Sequence, residues 1–220
     1  MRCGAPSGSV PAWAAVLGMA LAIAWMANLY NFMDGSDGLA ATMALAGFGA
    51  YAAAARHAGA DGAAFAALAA SALAFLAVNR PRATMFLGDV GSVPIGFLAA
   101  AFGLSGILTG LWPAWFPMLV FLPFAADATV TLARRAVHGD NLVQAHRDHY
   151  YQRLNRMGAG HAGTLAAYAL AMAACAAAAL YCLMRAPAAG TAALGIACVV
   201  CFILFGAIDH RWRRRTEASQ

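Results

Sequence analysis

Four polar residues stand three apart where an apolar run ends: Asn28, Asn31, Asp34 and Asp37, in the string NLYNFMDGSDGLA (28–40). Helical spacing sets neighbouring members of this series side by side. Gly35 and Gly38 then loosen the backbone. Two amides and two carboxylates at a helix end can bind a nucleotide or order the outer shell of a metal. Plain capping of a helix junction explains one or two such residues, but four at this spacing less easily. A second string, MFLGDVGSVPIGF (85–97), sets Asp89 between Gly88 and Gly91, with Ser92 following. Glycine permits close approach to a phosphate, and a lone carboxylate is a natural oxygen ligand for Mg²⁺. Phe86 can offer an aromatic face to a base. A simple glycine-rich turn would use the same residues.

The third string, RRAVHGDNLVQAHRDHYYQR (134–153), belongs to the longest polar segment. His146 and His149 flank Arg147, with Arg134 and Arg153 at the ends. Such side chains can clamp diphosphate oxygens and oppose charge that develops in phosphoryl transfer. Zinc is a poorer fit, since the histidines are three apart and no third soft ligand is near. A basic loop drawn to anionic lipid is the plainer alternative. Asp127, just upstream, is costly at membrane depth unless it lines the same polar cavity.

The remaining sequence must position these strings in lipid. The 220 residues are 63% hydrophobic and only 10% charged, and mean hydropathy is +0.68. A soluble domain carries about 25% charged residues, so the solvent for most of this chain is lipid. Seven apolar stretches, near 11–29, 39–56, 63–79, 94–112, 114–133, 163–184 and 187–208, are expected as helices. The expected fold class is therefore an all-α polytopic bundle of about seven spans, forming one integral-membrane domain. A polar loop covers 134–162 and a basic tail covers 209–220. Pro113 and Pro117 mark one turn and Pro187 another. The apolar run before Asn28 lacks a small-residue cleavage site, which argues against a removed signal peptide.

The basic residues are all Arg, and eleven of the fourteen fall in 30–38, 80–93, 134–162 and 209–220. The positive-inside rule makes those segments cytoplasmic and the amino terminus external. All three strings then share the cytoplasmic face. The formal charge of +5 suits anionic headgroups and substrates, but it is too scattered for nucleic acid. Of the five cysteines, four lie in apolar runs, where a thiol behaves as a small hydrophobe. The Cys198–Cys201 pair lacks the flanks of a redox or metal motif.

Together the strings resemble the polyprenyl-phosphate N-acetylhexosamine-1-phosphate transferases, membrane glycosyltransferase family 4, from about Trp25 to Leu154. NLYNFMDGSDGLA is similar to the family's NxxNFxDGxDGLA, and FLGDVGS to its FxGDxGS. Asp127, Arg134–Arg135, Gly139–Asp140 and HRDHYYQRL resemble its last cytoplasmic motif, in the form of the O-antigen or capsule branch. The resemblance implies a bacterial inner-membrane enzyme that takes the first membrane step of cell-surface glycan synthesis. It would transfer sugar 1-phosphate from a UDP-N-acetylhexosamine to undecaprenyl phosphate and release UMP. It implies Mg²⁺, with Mn²⁺ an alternative, on Asp89, and Phe86 on uracil. Asn28, Asn31, Asp34 and Asp37 would line the nucleotide-sugar pocket, with Gly88 and Ser92 beside it. His146, Arg147 and His149 would hold diphosphate or sugar. The family also carries an earlier Asp-Asp motif and is half as long again. No adjacent Asp pair occurs here, so the chain is expected to be a fragment or mis-started product. Small-residue helix faces would permit a homodimer. Two other functions compete: a non-catalytic remnant that binds UDP-sugar without turnover, and a transporter using Asp89 and Asp127. A transporter would want its polar residues at mid-membrane.

Overall fold

The computed structural model describes residues 11–139 and 148–217, and its regular structure there is helical. The helices are α1 (Ala12–Met33), α2 (Leu39–His57), α3 (Ala63–Asn79), α4 (Gly88–Leu108), α5 (Trp115–Val120), α6 (Leu122–His138), α7 (Tyr150–Leu154), α8 (Gly160–Arg185) and α9 (Gly190–Glu217). A π-helical turn, Asn155–Ala159, joins α7 to α8. Four segments are long and apolar enough to cross a bilayer: Ala12–Met33, Gly88–Leu108, Tyr150–Arg185 and Pro187–Arg215, with α3 a shorter apolar helix. The chain is a multi-pass membrane protein.

Two of the seven expected stretches fall outside these four segments and the shorter α3. The stretch 39–56 forms α2, whose Leu39, Met43, Phe48 and Tyr51 are buried among its neighbours. It ends in Arg56 and His57, and it serves as the core of the bundle. The stretch 114–133 is two helices rather than one. Phe121 (φ −95°, ψ 7°) breaks the ladder between α5 and α6, and Pro123 opens α6. Proline has no N–H to donate and sits most easily in a first turn. Two boundaries also move. α4 begins at Gly88, so Gly88, Asp89 and Gly91 of the second string lie in its first turn and Phe86 just before it. α9 runs on to Glu217, so most of the expected tail is helical.

Packing follows from side-chain size. α1 lies against α4, and α2 against α3 and α8. The α1–α4 approach depends on Gly96. A Cβ there would stand 2.5 Å from the Met26 carbonyl oxygen and 2.7 Å from Ala27 Cα. Away from the polar strings, Tyr51 stacks on Trp112 at 4.7 Å between ring centres. The Tyr51 hydroxyl donates to the Ala99 carbonyl (3.1 Å), and Trp112 Nε1 donates to the Gly103 carbonyl (3.1 Å). These two bonds satisfy polar atoms that lipid would leave bare.

Gly96→Val should therefore force α1 off α4 and cost about 1–3 kcal/mol, the range for overpacking. Gly18→Ala in the same α1, where no neighbour lies within 4 Å, should leave stability unchanged or slightly raised. Unfolding midpoints in one detergent compare the two. Equal midpoints would remove the tight α1–α4 crossing.

Candidate functional site

The first two strings meet at the end of α1. The Ser92 hydroxyl donates to Asn31 Oδ1 at 2.8 Å across 61 residues of sequence, and Ser92 is fully buried. Asn31 is thus oriented by α4. Asp37 is held by the segment after α3: its Oδ2 accepts from the backbone N–H of Arg82 (3.1 Å) and Ala83 (3.3 Å). Arg82 has φ 70°, a left-handed conformation that non-glycine residues rarely adopt. The paired acceptor of Asp37 supports that strain. The backbone between them is tied by Asn79, a buried amide at the end of α3. Asn79 accepts from the Gly38 N–H (3.0 Å) and donates to the Met85 carbonyl (2.8 Å). Gly38 itself sits at φ 74°, the turn that starts α2.

The third string docks through Asp127. Its carboxylate is fully buried and accepts from the backbone N–H of Tyr150 (2.9 Å) and Tyr151 (3.0 Å), the first turn of α7. Thr131 Oγ1 (3.2 Å) and the Tyr168 hydroxyl also donate to it. His149 Nδ1 lies 3.4 Å away. Asp127, costly at membrane depth without polar partners, finds them in contacts that seat α7. Tyr151 extends from that seat and donates its hydroxyl to the Phe32 carbonyl at 3.0 Å. Gly35 lets it pass, since a Cβ there would lie 2.1 Å from the Tyr151 hydroxyl. His149 is 1% exposed. It forms a capping box with Gln152 and packs between Phe32 and Tyr151, each 5.8 Å away between ring centres.

Arg134 and Arg153, expected at the ligand, both engage Asp209 of α9, at 2.9 and 2.6 Å. The Tyr150 hydroxyl donates to the same carboxylate (3.1 Å). His146, Arg147 and Asp140 lie outside the described residues. Asn79, Tyr151, His161 and Asp209 are partners that sequence reasoning did not single out. His161 Nδ1 stands 3.2 Å from the Asp37 N–H and 3.4 Å from Ser36 Oγ. An amide closing an apolar helix, as Asn79 does, is the one signal that was available.

The groups left facing open space are Asn28, Phe86, Gly88 and Asp89, all exposed, with Asp34 half-buried beside them. Burial is the main cause that lifts the Asp34 carboxyl to about 6. The Gly88 N–H, which bonds it, pulls the other way, and the nearby Asp89 charge adds to the rise. Two carboxylates from different strings therefore share one electrostatic environment, next to a glycine and an exposed ring.

The profile described as "Glycosyl transferase family 4" matches residues 3–107, which include both the Asn28–Ala40 and the Met85–Phe97 strings. The chain is 31% identical over 121 residues to a phospho-N-acetylmuramoyl-pentapeptide-transferase of Thermotoga neapolitana, covering 55% of this chain and 38% of that protein. It is 29% identical over 153 residues to a probable undecaprenyl-phosphate N-acetylglucosaminyl 1-phosphate transferase of Bacillus subtilis, covering 68% and 43%. A decaprenyl-phosphate N-acetylglucosaminephosphotransferase of Mycolicibacterium smegmatis is 27% identical over 157 residues, covering 61% and 39%. The chain is thus similar, at distant identity, to glycosyl transferase family 4 over residues 3–107. It spans about two fifths of the length of these family relatives. They include proteins named for both muramoyl-pentapeptide and N-acetylglucosamine transfer, so the comparison leaves the family branch open.

Among the described residues, no group of three or more His, Cys, Asp or Glu side chains comes together as a metal cage. Mg²⁺ does not demand one. It is commonly held by one or two carboxylates, with waters and substrate phosphates completing the shell. The hard oxygen donors of Asp34 and Asp89 fit that ion.

Asp34 should titrate near pH 6 when followed by carboxyl carbon NMR, and Asp89→Asn should lower that value. A raised carboxyl pKa favours the protonated fold. The Asp34 contribution to stability is then fully present below about pH 4 and lost as pH rises through about 6. An Asp34 midpoint near 4 would contradict the shared environment. Asp127→Ala should cost about 3 kcal/mol, because it strands two buried N–H groups and two hydroxyls. Thr131→Val, which removes a single donor, should cost about 1 kcal/mol. Unfolding midpoints separate them, and equal losses would deny Asp127 its anchoring role.

Proposed function

We propose that this chain forms the phosphosugar-transfer site of a polyprenyl-phosphate N-acetylhexosamine-1-phosphate transferase. The observation that carries the proposal is the Ser92–Asn31 bond, with Asp34 and Asp89 beside it. It joins two strings, 61 residues apart, that the family profile also matches. A polyprenyl phosphate, undecaprenyl phosphate in a bacterial inner membrane, supplies the attacking oxygen. A bond forms from that oxygen to the β-phosphorus of a UDP-N-acetylhexosamine, and the bond to the UMP oxygen breaks. UMP leaves with the electron pair. The lipid-linked sugar diphosphate stays in the membrane.

The work of the protein is positioning and charge neutralisation, as in other phosphoryl transfers. Asp89 and Asp34 would hold Mg²⁺, or Mn²⁺, which supplies positive charge to the diphosphate. Phe86, 73% exposed, presents a ring on which uracil can stack. The Asn28 and Asn31 amides face the nucleotide sugar, and Gly88 and Ser92 keep the approach narrow. Asp37 and His149 act as positioning residues, the first holding the Arg82 turn and the second packing α7 on Phe32. His146 and Arg147 would bring cationic donors to the diphosphate. Arg134 and Arg153 support that segment through Asp209. The arginine bias supports a cytoplasmic face for the site. The HRDHYYQRL form of the last string favours the O-antigen or capsule branch, and small-residue helix faces would support a homodimer.

In membranes containing the full chain, undecaprenyl phosphate, Mg²⁺ and UDP-N-acetylglucosamine, UMP release should fall about 100-fold or more on Asp89→Asn, as for loss of a preorganised charge-stabilising group. Undiminished release would remove Asp89 from the site. Binding of UDP-sugar by the unaltered chain with no UMP formed would instead make it a binding protein.

A further inference from the structure

A second feature lies on the flank formed by α8 and α9. A crevice of about 340 Å³ between them is almost entirely apolar, running from Ala171 and Cys201 to Phe205 and Ile208, and Arg211 closes its end. A neighbouring hollow shares Leu154, Met157 and Arg211, and adds Arg214 and Arg215. The three guanidiniums lie at i, i+3 and i+4 on α9, so they share one helix face, and all three are exposed. None of these lining residues belongs to the Asn31–Asp89 pocket.

Depth decides what such a crevice can hold. From Gly190, where α9 begins, about 20 residues of helix at 1.5 Å each cross the hydrocarbon layer. The crossing ends near residue 210, so Arg211, Arg214 and Arg215 emerge at headgroup level. From Arg211 down to Cys201 the crevice then runs about 15 Å into the acyl region. An apolar slot under a cluster of fixed positive charges matches an anionic amphiphile in both parts. A zwitterionic lipid would bring a cation to the same cluster. A soluble anion would leave the slot empty.

We propose that this crevice is a binding site for an anionic diacyl phospholipid, with its phosphate on Arg211, Arg214 and Arg215 and one acyl chain between α8 and α9. Such a lipid would clamp α9 against α8 and Leu154. That places it next to the Asp209 carboxylate that engages Arg134 and Arg153.

The test uses the full chain in mild detergent, with fluorescent phosphatidylglycerol and fluorescent phosphatidylcholine as probes. Phosphatidylglycerol should bind at least tenfold more tightly. Arg211→Gln/Arg214→Gln/Arg215→Gln should abolish that preference, since each basic residue near the surface contributes a several-fold attraction to an anionic headgroup. Ala171→Trp, which fills the slot and leaves the charges, should weaken phosphatidylglycerol about tenfold while elution volume and helical circular dichroism stay unchanged. Equal affinity for the two lipids, or full preference in the triple variant, would overturn the site. Displacement of the probe by inorganic phosphate at lipid-equivalent concentration would assign the arginines to a free anion and overturn it as well. A misfolded Ala171→Trp protein leaves the triple variant, whose changes are at the exposed surface, to decide.

Discussion

The Asp127 carboxylate is the constraint on which the rest of the site depends. A charge buried within a membrane bundle is costly unless hydrogen bonds replace its lost hydration. Here the replacement comes from two backbone N–H groups of α7, a threonine and a tyrosine of α8. Those donors come from three helices, so satisfying one carboxylate fixes α6, α7 and α8 relative to one another. Tyr151, carried on the first turn of α7, then reaches the Phe32 carbonyl at the end of α1. The chain of contacts from Asp127 to Asn31 is continuous: carboxylate, α7, Tyr151, the end of α1, and across to Ser92 of α4.

Within the Asn28–Ala40 string the two aspartates differ in their work, although their spacing treats them alike. Asp37 is taken up by backbone donors at Arg82 and Ala83, and its charge stabilises a left-handed turn. Asp34 has the Gly88 N–H beside it and another carboxylate as a near neighbour, and burial raises its pKa to about 6. Two close carboxylates are unfavourable to one another without a cation. Asp37 is thus occupied by backbone donors, while Asp34 keeps a second carboxylate as its neighbour. Nothing in the periodicity separates these roles, because the donors that decide them come from the segments after α3 and at the start of α4.

The legible part of the fold was the local part. Apolar runs marked the places of α1, α2, α3, α8 and the part of α9 up to residue 208, because the preference for lipid acts on each residue independently of its partners. The polar strings marked which helix ends would gather. What was not legible required knowledge of neighbours. The core position of α2 depends on which helices surround it, and composition alone cannot distinguish burial in protein from burial in lipid. The break at Phe121 precedes Pro123, which the apolar run 114–133 took in without a signal, while Pro113 and Pro117 were legible as a turn. Asp209 read as part of a basic tail, yet it gathers Arg134, Arg153 and the Tyr150 hydroxyl.

That last pairing shapes the electrostatics of the whole polar end. Arg134 and Arg153 would present two positive charges near α7. With Asp209 between them, the cluster carries one net positive charge, and the guanidinium of Arg153 also lies over the rings of Tyr150 and Trp212. A side chain so engaged is poorly available to clamp a diphosphate, because each contact to a phosphate would cost one already made. The positive charge that remains exposed on α9 lies beyond Asp209, at Arg211, Arg214 and Arg215, on the flank with the apolar crevice. Asp209 therefore separates two groups of arginines. Arg134 and Arg153, from α6 and α7, are drawn to it beside Tyr150, while Arg211, Arg214 and Arg215 follow it on α9.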